Sequence, residues 1–126
     1  MRRTLSLLGV LLLVLVTFAF VHRQSIRCDH EQYSQVSSPD GKWTAIASAE
    51  ECGTAISGLS DIVTLKRGDG APSVQVYRAT ASNRGRPVLL TWGGDQFLIV
   101  VYPSEEDVTI QQKSVADVQI RFEAAP

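Results

Sequence analysis

Hydrophobic and polar residues follow two different patterns along the chain, and the change comes near residue 27. Residues 4–21, TLSLLGVLLLVLVTFAFV, form an uninterrupted stretch without a charged residue. After residue 27 the apolar residues come in short runs that alternate with polar ones, which is typical of β-strands. The pattern therefore predicts an N-terminal segment, residues 1–27, followed by one small β domain, residues 28–126.

The alternating part of the chain predicts seven or eight short strands, with turns between them. The clearest turn is Ser-Pro-Asp-Gly-Lys at 38–42, where Pro fixes one φ and Gly supplies a positive one. The strand that follows, 43–49, places Trp43 on one face with three alanines. Residues 96–102, QFLIVVY, are the most apolar run and predict a central strand.

The last predicted strand, 118–123, alternates apolar and polar residues, which predicts one buried and one wet face. No helical period follows residue 27. We therefore expect an all-β domain, either a small antiparallel sandwich or a meander closed into a barrel.

The apolar stretch at 4–21 predicts a membrane segment. As a helix it is about 27 Å long, close to the roughly 30 Å of a bilayer core. A cleavable signal has a shorter apolar region and a small-x-small site, whereas the best site here is Thr17-Phe18-Ala19, followed by more apolar residues. We expect an uncleaved signal-anchor in the inner membrane, with the domain facing the periplasm or the cell exterior. The alternative is secretion to the periplasm after cleavage.

Charge narrows the possible partners. Residues 28–126 contain 8 Lys and Arg against 13 Asp and Glu, a net charge of −5. Nucleic-acid affinity comes mostly from Lys and Arg on phosphates, so this balance argues against nucleic acid. The expected partners are the membrane, through residues 4–21, and an envelope protein. No cofactor is expected.

Two cysteines, Cys28 and Cys52, are the only ones in the chain. In an oxidising compartment two cysteines in a small domain predict one disulfide. The alternative is a metal or thiol site at Cys28, His30 and Cys52, with Glu31, Glu50 or Glu51 as a fourth ligand. Its spacing fits no zinc pattern, and the Cys-x-x-Cys of thiol catalysts is absent.

Two charged segments are candidate binding sites. Glu105, Glu106 and Asp107 form an acidic turn that could hold a cation, although such turns are usually solvated. Arg84 and Arg86 lie in a polar loop that could dock an anionic partner.

The chain resembles a family of small bacterial proteins that are exported or membrane-anchored. The residues that carry the resemblance are Cys28, Ser38 to Lys42, Glu51 to Ala55, Trp92, Asp95 and Leu98. The family has no established activity. The resemblance implies an envelope location, a β fold and cysteines that belong together.

Two segments, Ser38 to Trp43 with Ala45 and Trp92 to Leu98, also resemble parts of a β-propeller blade. A propeller needs several blades, and 99 residues supply two at most. We therefore do not expect a closed propeller.

No catalytic constellation is visible in the sequence. His30 is the only histidine of the β domain, and no Gly-x-Ser-x-Gly is present. The sequence therefore predicts a non-enzymatic binding or structural module of the envelope. The alternatives are the metal or thiol site and an inhibitor or immunity protein. The inhibitor would block an envelope enzyme through the acidic turn or the Gly53–Ser60 loop.

Overall fold

The computed structural model describes residues 2–22, 28–52, 59–81 and 86–126. These residues form one helix and nine strands, which confirms the predicted all-β fold. The nine described strands exceed the seven or eight predicted, because β8 has only two residues and shows no alternation. The elements are α1 (Arg2–His22), β1 (Cys28–Ser37), β2 (Trp43–Cys52), β3 (Leu59–Arg67), β4 (Val74–Ala81), β5 (Leu89–Gly94), β6 (Phe97–Pro103), β7 (Asp107–Gln111), β8 (Ser114–Val115) and β9 (Val118–Ala125).

The strands form two sheets. The first has the order β1-β2-β3-β4-β7 and is antiparallel throughout. The second has the order β5-β6-β9-β8, and its β6 and β9 run parallel. The predicted all-antiparallel arrangement is therefore wrong for one pair. The reason is that the chain leaves β6, adds β7 to the first sheet beside β4, and returns to the second sheet in the direction of β6.

The two sheets share one apolar core, so the domain is a two-layer sandwich. The alternation of each strand decides which side chains enter this core. On β2, for example, Trp43 and the next two odd-numbered alanines are buried, as predicted. The buried cluster comprises Trp43, Ala45, Ala47, Val63, Leu65, Val76, Tyr77, Ala79, Val88, Leu90, Leu98, Val100, Val118 and Ile120.

The 38–43 turn closes one end of the sandwich and has the predicted chemistry. Gly41 has a positive φ of 72°, which favours glycine. The Ser38 hydroxyl donates to Asp40 Oδ1 at 2.7 Å and accepts from the Trp43 amide at 3.1 Å. The hydrogen bond from Ser38, together with one from the Lys42 amide, holds the pKa of Asp40 below its usual value. Trp43, covered on one side by the Arg67 guanidinium 5.4 Å away, fills the core beneath.

The two sheets are also joined along one side, where β1 and β5 approach each other. The Trp92 indole N–H donates to the Val36 carbonyl at 2.9 Å. This bond holds β5 against the edge strand of the first sheet, and it makes β1 part of the sandwich wall.

Residues 4–21 lie in helix α1, which covers 21 residues. Its large apolar side chains between Leu7 and Val21 are 56–75% exposed. Within the part of the chain that the structure describes, no helix has the length and hydropathy required to cross a membrane. The predicted transmembrane segment is therefore not confirmed.

Candidate functional site

The sandwich opens into a cleft at the end opposite the 38–43 turn. The inward-facing row of β2 continues past the buried Ala47 to Ala49 and Glu51, and β3 brings Asp61 and Leu59 alongside. Together with residues from β1 and from the segment before β5 they enclose about 470 Å³. The cleft is lined by Glu31, Tyr33, Ala49, Glu51, Leu59, Asp61, Arg86 and Pro87.

Strand register gives the cleft its shape. Glu31 of β1 pairs with Ala49 of β2, and Ala49 pairs with Asp61 of β3, so the three residues form one line across the sheet. Because the middle residue is an alanine, the line has carboxylates on both sides and little bulk between them. The sheet therefore builds a depression with acidic walls.

A bulge in β1 places Tyr33 at the cleft. The register with β2 shifts between Gln32 and Ser34, so Tyr33 is the additional residue at this point. Its hydroxyl donates to Asp61 Oδ1 at 3.2 Å and accepts from the Val88 amide at 3.1 Å. Burial, together with the nearby Asp61 carboxylate, raises the pKa of Tyr33, so this hydroxyl remains a donor. It links three chain segments and fixes the Asp61 carboxylate.

Behind the cleft lies a second carboxyl group, Glu106. Asp61 is 5% exposed and Glu106 is 8% exposed. The Tyr77 hydroxyl donates to Glu106 Oε2, and Tyr77 packs against the rings of Tyr102 and Phe122. Glu106 Oε1 is buried and has no hydrogen-bond partner among the described residues.

The burial of Glu106 changes its acidity. Burial, together with the hydrogen bond to Asp61, raises the pKa of Glu106 to about 8. The raised pKa means that the fold favours the protonated form of Glu106. Burying the neutral carboxyl costs less free energy than burying the carboxylate.

The disulfide lies on the opposite face of the first sheet. Cys28 pairs directly with Cys52 across β1 and β2, and the two are bonded with a Cα–Cα distance of 4.0 Å. This confirms the predicted bridge. On the same face Glu50 binds the Arg78 guanidinium at 2.8 Å and lies 3.5 Å from His30 Nδ1.

The alternative metal site gains only partial geometric support. Cys28, Glu50 and Cys52 offer ligand atoms within 4.8 Å of one another. Both sulfurs, however, are bonded to each other, and a disulfide supplies no thiolate for a metal ion. His30 is engaged with Glu50. The described residues therefore form a disulfide with an ion-pair network beside it.

The predicted acidic turn does not act as one unit. Glu105 is exposed and pairs with Arg86 at 3.3 Å, and Asp107 is exposed at the start of β7. Glu106 points into the domain, so the solvated interpretation of the turn is wrong for this residue. Arg84 lies outside the described residues, as do positions 53–58 of the Gly53–Ser60 loop.

Sequence reasoning missed Tyr33, Asp61 and Glu106 as a connected group. One signal was present at Asp61, which faces the same side of β3 as the buried Val63 and Leu65. A carboxylate at such an inward position predicts either an open end of the core or a buried partner. Nothing in the sequence marks Glu106 among its acidic neighbours.

Comparison with protein-family models finds no match to the chain, and comparisons with curated proteins and with solved structures find none either.

Proposed function

We propose that residues 28–126 form an exported, non-enzymatic binding module of the cell envelope, and that the cleft at the open end of the sandwich holds its ligand. The observation that carries the proposal is the change of lining along the inward rows of β2 and β3. These rows are apolar through the core and become acidic where they enter the cleft.

A purely structural sandwich gains nothing from this change. Inward faces stabilise the fold by burying apolar surface, and a carboxylate there costs free energy unless it is paired. The 470 Å³ of the cleft is within the range of small-molecule sites. A concave surface with a few polar groups placed by rigid strands is suited to recognition.

Export is supported by two features of the chain. The apolar side chains of α1 are exposed, and exposed apolar surface of this extent needs a covering environment such as a lipid bilayer. The disulfide is typical of oxidising compartments. We propose residues 4–21 as the export segment, retained as an inner-membrane anchor with the domain in the periplasm or outside the cell. Cleavage after export is the alternative.

The cleft is favoured over the acidic turn as the binding surface. A turn acting as an inhibitor would present its charges to an enzyme, but Glu106 is buried and Glu105 is already paired with Arg86. This leaves Asp107 as the acidic side chain of the turn without a described ion pair, which is a small surface for a specific complex.

A photo-crosslinking amino acid placed at Glu31 tests the proposal in intact cells. The matched control is the same amino acid at His30, the neighbouring residue, which is also exposed but lies on the other face of β1. We expect a saturable adduct from position 31 and none from position 30. Equal adducts from both positions, or adducts from neither, would contradict a ligand in the cleft.

A further inference from the structure

We propose that the Cys28–Cys52 bond is a redox-operated latch on the cleft. A dithiol reductant opens the bond, the first half of β1 (28–32) then leaves β2, and the cleft loses its β1 wall. This inference rests on the proposed function, because the latch regulates the same cleft. It goes further by giving the cleft an oxidised state that holds a ligand and a reduced state that releases it.

The first half of β1 is held weakly apart from the disulfide. Its residues, CDHEQ, include no large apolar side chain, and Asp29 to Gln32 are exposed. In the described first sheet, β1 is an edge strand with β2 as its one paired neighbour. His30 reaches Glu50 at 3.5 Å, but the His30 side chain is 60% exposed, so this contact adds little. Since segments with little apolar burial open locally at low cost in free energy, the disulfide is the strongest described link between this half and β2.

The second half of β1 is anchored independently. Val36 packs against the buried core, and its carbonyl accepts from the Trp92 indole N–H at 2.9 Å. The bulge at Tyr33 separates the two halves, since the register with β2 shifts there. The Tyr33 hydroxyl in turn donates to Asp61 of β3. Release of 28–32 therefore stops at Tyr33 and leaves the sandwich assembled.

The released half carries one wall of the cleft. Glu31 lines the cleft and is paired in register with Ala49 of β2, which lines it too. When the ladder opens and the half-strand turns about Tyr33, Glu31 leaves the lining. The side of the 470 Å³ space next to Ala49 then opens to solvent. The disulfide therefore controls whether the cleft is enclosed on that side.

A reductant reaches the bond without passing through the cleft. Both cysteines are partly exposed and lie on the outer face of the first sheet, whereas the cleft lies on the inner face. Exposed disulfides are labile and serve regulation more often than buried ones. The reduced state is also accommodated, because the Glu50 carboxylate lies 3.4 Å from Cys52 Sγ and can accept the S–H of the new thiol.

The reaction is a thiol–disulfide exchange. A thiolate of the reductant attacks one sulfur, forms a mixed disulfide and displaces the other sulfur, which takes up a proton. The second thiol of the reductant then attacks the mixed disulfide and displaces the first sulfur, which is also protonated. The protein gains two thiols, and the dithiol loses two hydrogens and becomes an intramolecular disulfide.

Residue-resolved amide exchange by NMR, on the full chain in detergent micelles before and after addition of dithiothreitol, tests the inference. Reduction should accelerate exchange of the protected amides at 28–32 at least about tenfold, while the amides at 34–37 change little. The double variant Cys28→Ser with Cys52→Ser should match the reduced wild type. Trp92→Phe, which removes an anchor of the second half but keeps the bond, is the control and should leave 28–32 protected while oxidised.

The rate of reduction by dithiothreitol separates direct exchange from global unfolding. A bond reduced in the native state should react at the same rate in Trp43→Ala, which destabilises the whole fold, as in the wild type. If reduction waits for global unfolding, Trp43→Ala should react faster, since its unfolded population is larger. Faster reduction of this variant would overturn the latch.

Crosslinking in intact cells connects the latch to the cleft. With the photo-crosslinking amino acid at position 31, dithiothreitol should abolish the saturable adduct. An adduct that persists after reduction, or a reduction that leaves 28–32 protected or frees 34–37 equally, would overturn the latch and leave the binding module intact. Equal adducts at positions 31 and 30 before reduction would instead remove the proposed function, and with it the role of the latch.

Discussion

The two ends of strands β2 and β3 follow the same alternation, yet one end is closed and the other is open. At the closed end the inward positions hold Trp43 and Leu65, which are buried against the second sheet. At the open end the same rows hold Glu51 and Asp61, which line a cleft. The comparison shows that alternation along a strand determines which side chains point inward. The size and charge of those side chains determine whether they pack in the core or line a cleft.

The two ends are also stabilised by different interactions. Packing of large side chains beneath a hydrogen-bonded turn holds the closed end. At the open end the described residues show no such packing. There the Cys28–Cys52 bond ties β1 to β2, and buried polar contacts from Tyr33 and Tyr77 hold the strands together. Each of the following predictions tests one side of this difference.

Among the substitutions, the largest effect is expected from Trp43→Ala at the closed end. Removing a buried Trp leaves a cavity and should lower the free energy of unfolding by about 3–5 kcal/mol. Urea titration followed by far-UV circular dichroism measures it. A loss below about 1 kcal/mol would mean that the closed end does not depend on packing.

The next effect is expected from the double variant Cys28→Ser with Cys52→Ser at the open end. The bond joins residues separated by 24 positions. The chain-entropy estimate for such a loop is about 3.5 kcal/mol. Urea titration of the oxidised wild type against the variant measures the loss. The reduced wild type is the control. A difference in stability between it and the variant would mean that the replacement of the cysteine side chains, and not only the loss of the bond, changes the stability.

Membrane-impermeant alkylation of intact cells tests the state and the exposure of the same cysteines. We expect labelling only after reduction. Labelling without reductant would show free thiols and reopen the metal alternative. Protection in both conditions, reversed by lysis, would place the domain in the cytoplasm and contradict the proposed export.

The free energy of unfolding should also fall as pH rises, because the pKa of Glu106, behind the cleft, is raised by folding. Its pKa is about 8 in the folded protein against 4.5 for an unperturbed group. Between these values the folded state holds a proton that the unfolded state has lost, so the contribution is full below pH 4.5 and disappears as pH passes 8. The slope is at most about 1.4 kcal/mol per pH unit. Thermal unfolding between pH 5 and pH 9 measures it, and Glu106→Gln should flatten the curve.

A smaller effect is expected at the turn of the closed end. Ser38→Ala removes the hydroxyl that bridges Asp40 and the Trp43 amide. The loss should be about 1 kcal/mol, because one buried donor loses its partner. Ser38→Thr, which keeps the hydroxyl, is the control. Equal destabilisation by both variants would point to shape rather than hydrogen bonding.

The smallest effect is expected from Glu31→Gln at the mouth of the cleft. The side chain is exposed, so the free energy of unfolding should change by less than about 0.5 kcal/mol. Urea titration beside Trp43→Ala gives the direct comparison. A loss close to that of Trp43→Ala would show that the cleft is part of the stabilising core and would weaken its assignment as a site.

Sequence patterns predict the local elements of this fold better than their assembly. The alternation of Trp43 with alanines, the turn at 38–42 and the apolar strand at 96–102 each identify an element that the structure contains. The parallel pairing of β6 with β9 could not be predicted, since alternation is the same for parallel and antiparallel neighbours. Strand β8 has only two residues, which is too short to show a period.

The candidate site is less predictable, because its parts meet only in three dimensions. The disulfide could be predicted from the number of cysteines. The cleft could not, since Tyr33, Asp61 and Glu106 are separated by 28 or more positions. Whether Glu106 is buried depends on how the turn after β6 packs against the rest of the domain. No local feature of an acidic tripeptide encodes that packing.

The position of β9 has a consequence for biosynthesis. This strand lies between β6 and β8, in the interior of the second sheet, although it is the last of the nine described strands in chain order. Until residue 125 has been synthesised, β6 presents an unpaired apolar edge. Such edges invite pairing with other chains. The nascent polypeptide therefore completes its second sheet only after β9 has been made, and deletion of β9 should yield an aggregating product rather than a slightly smaller domain.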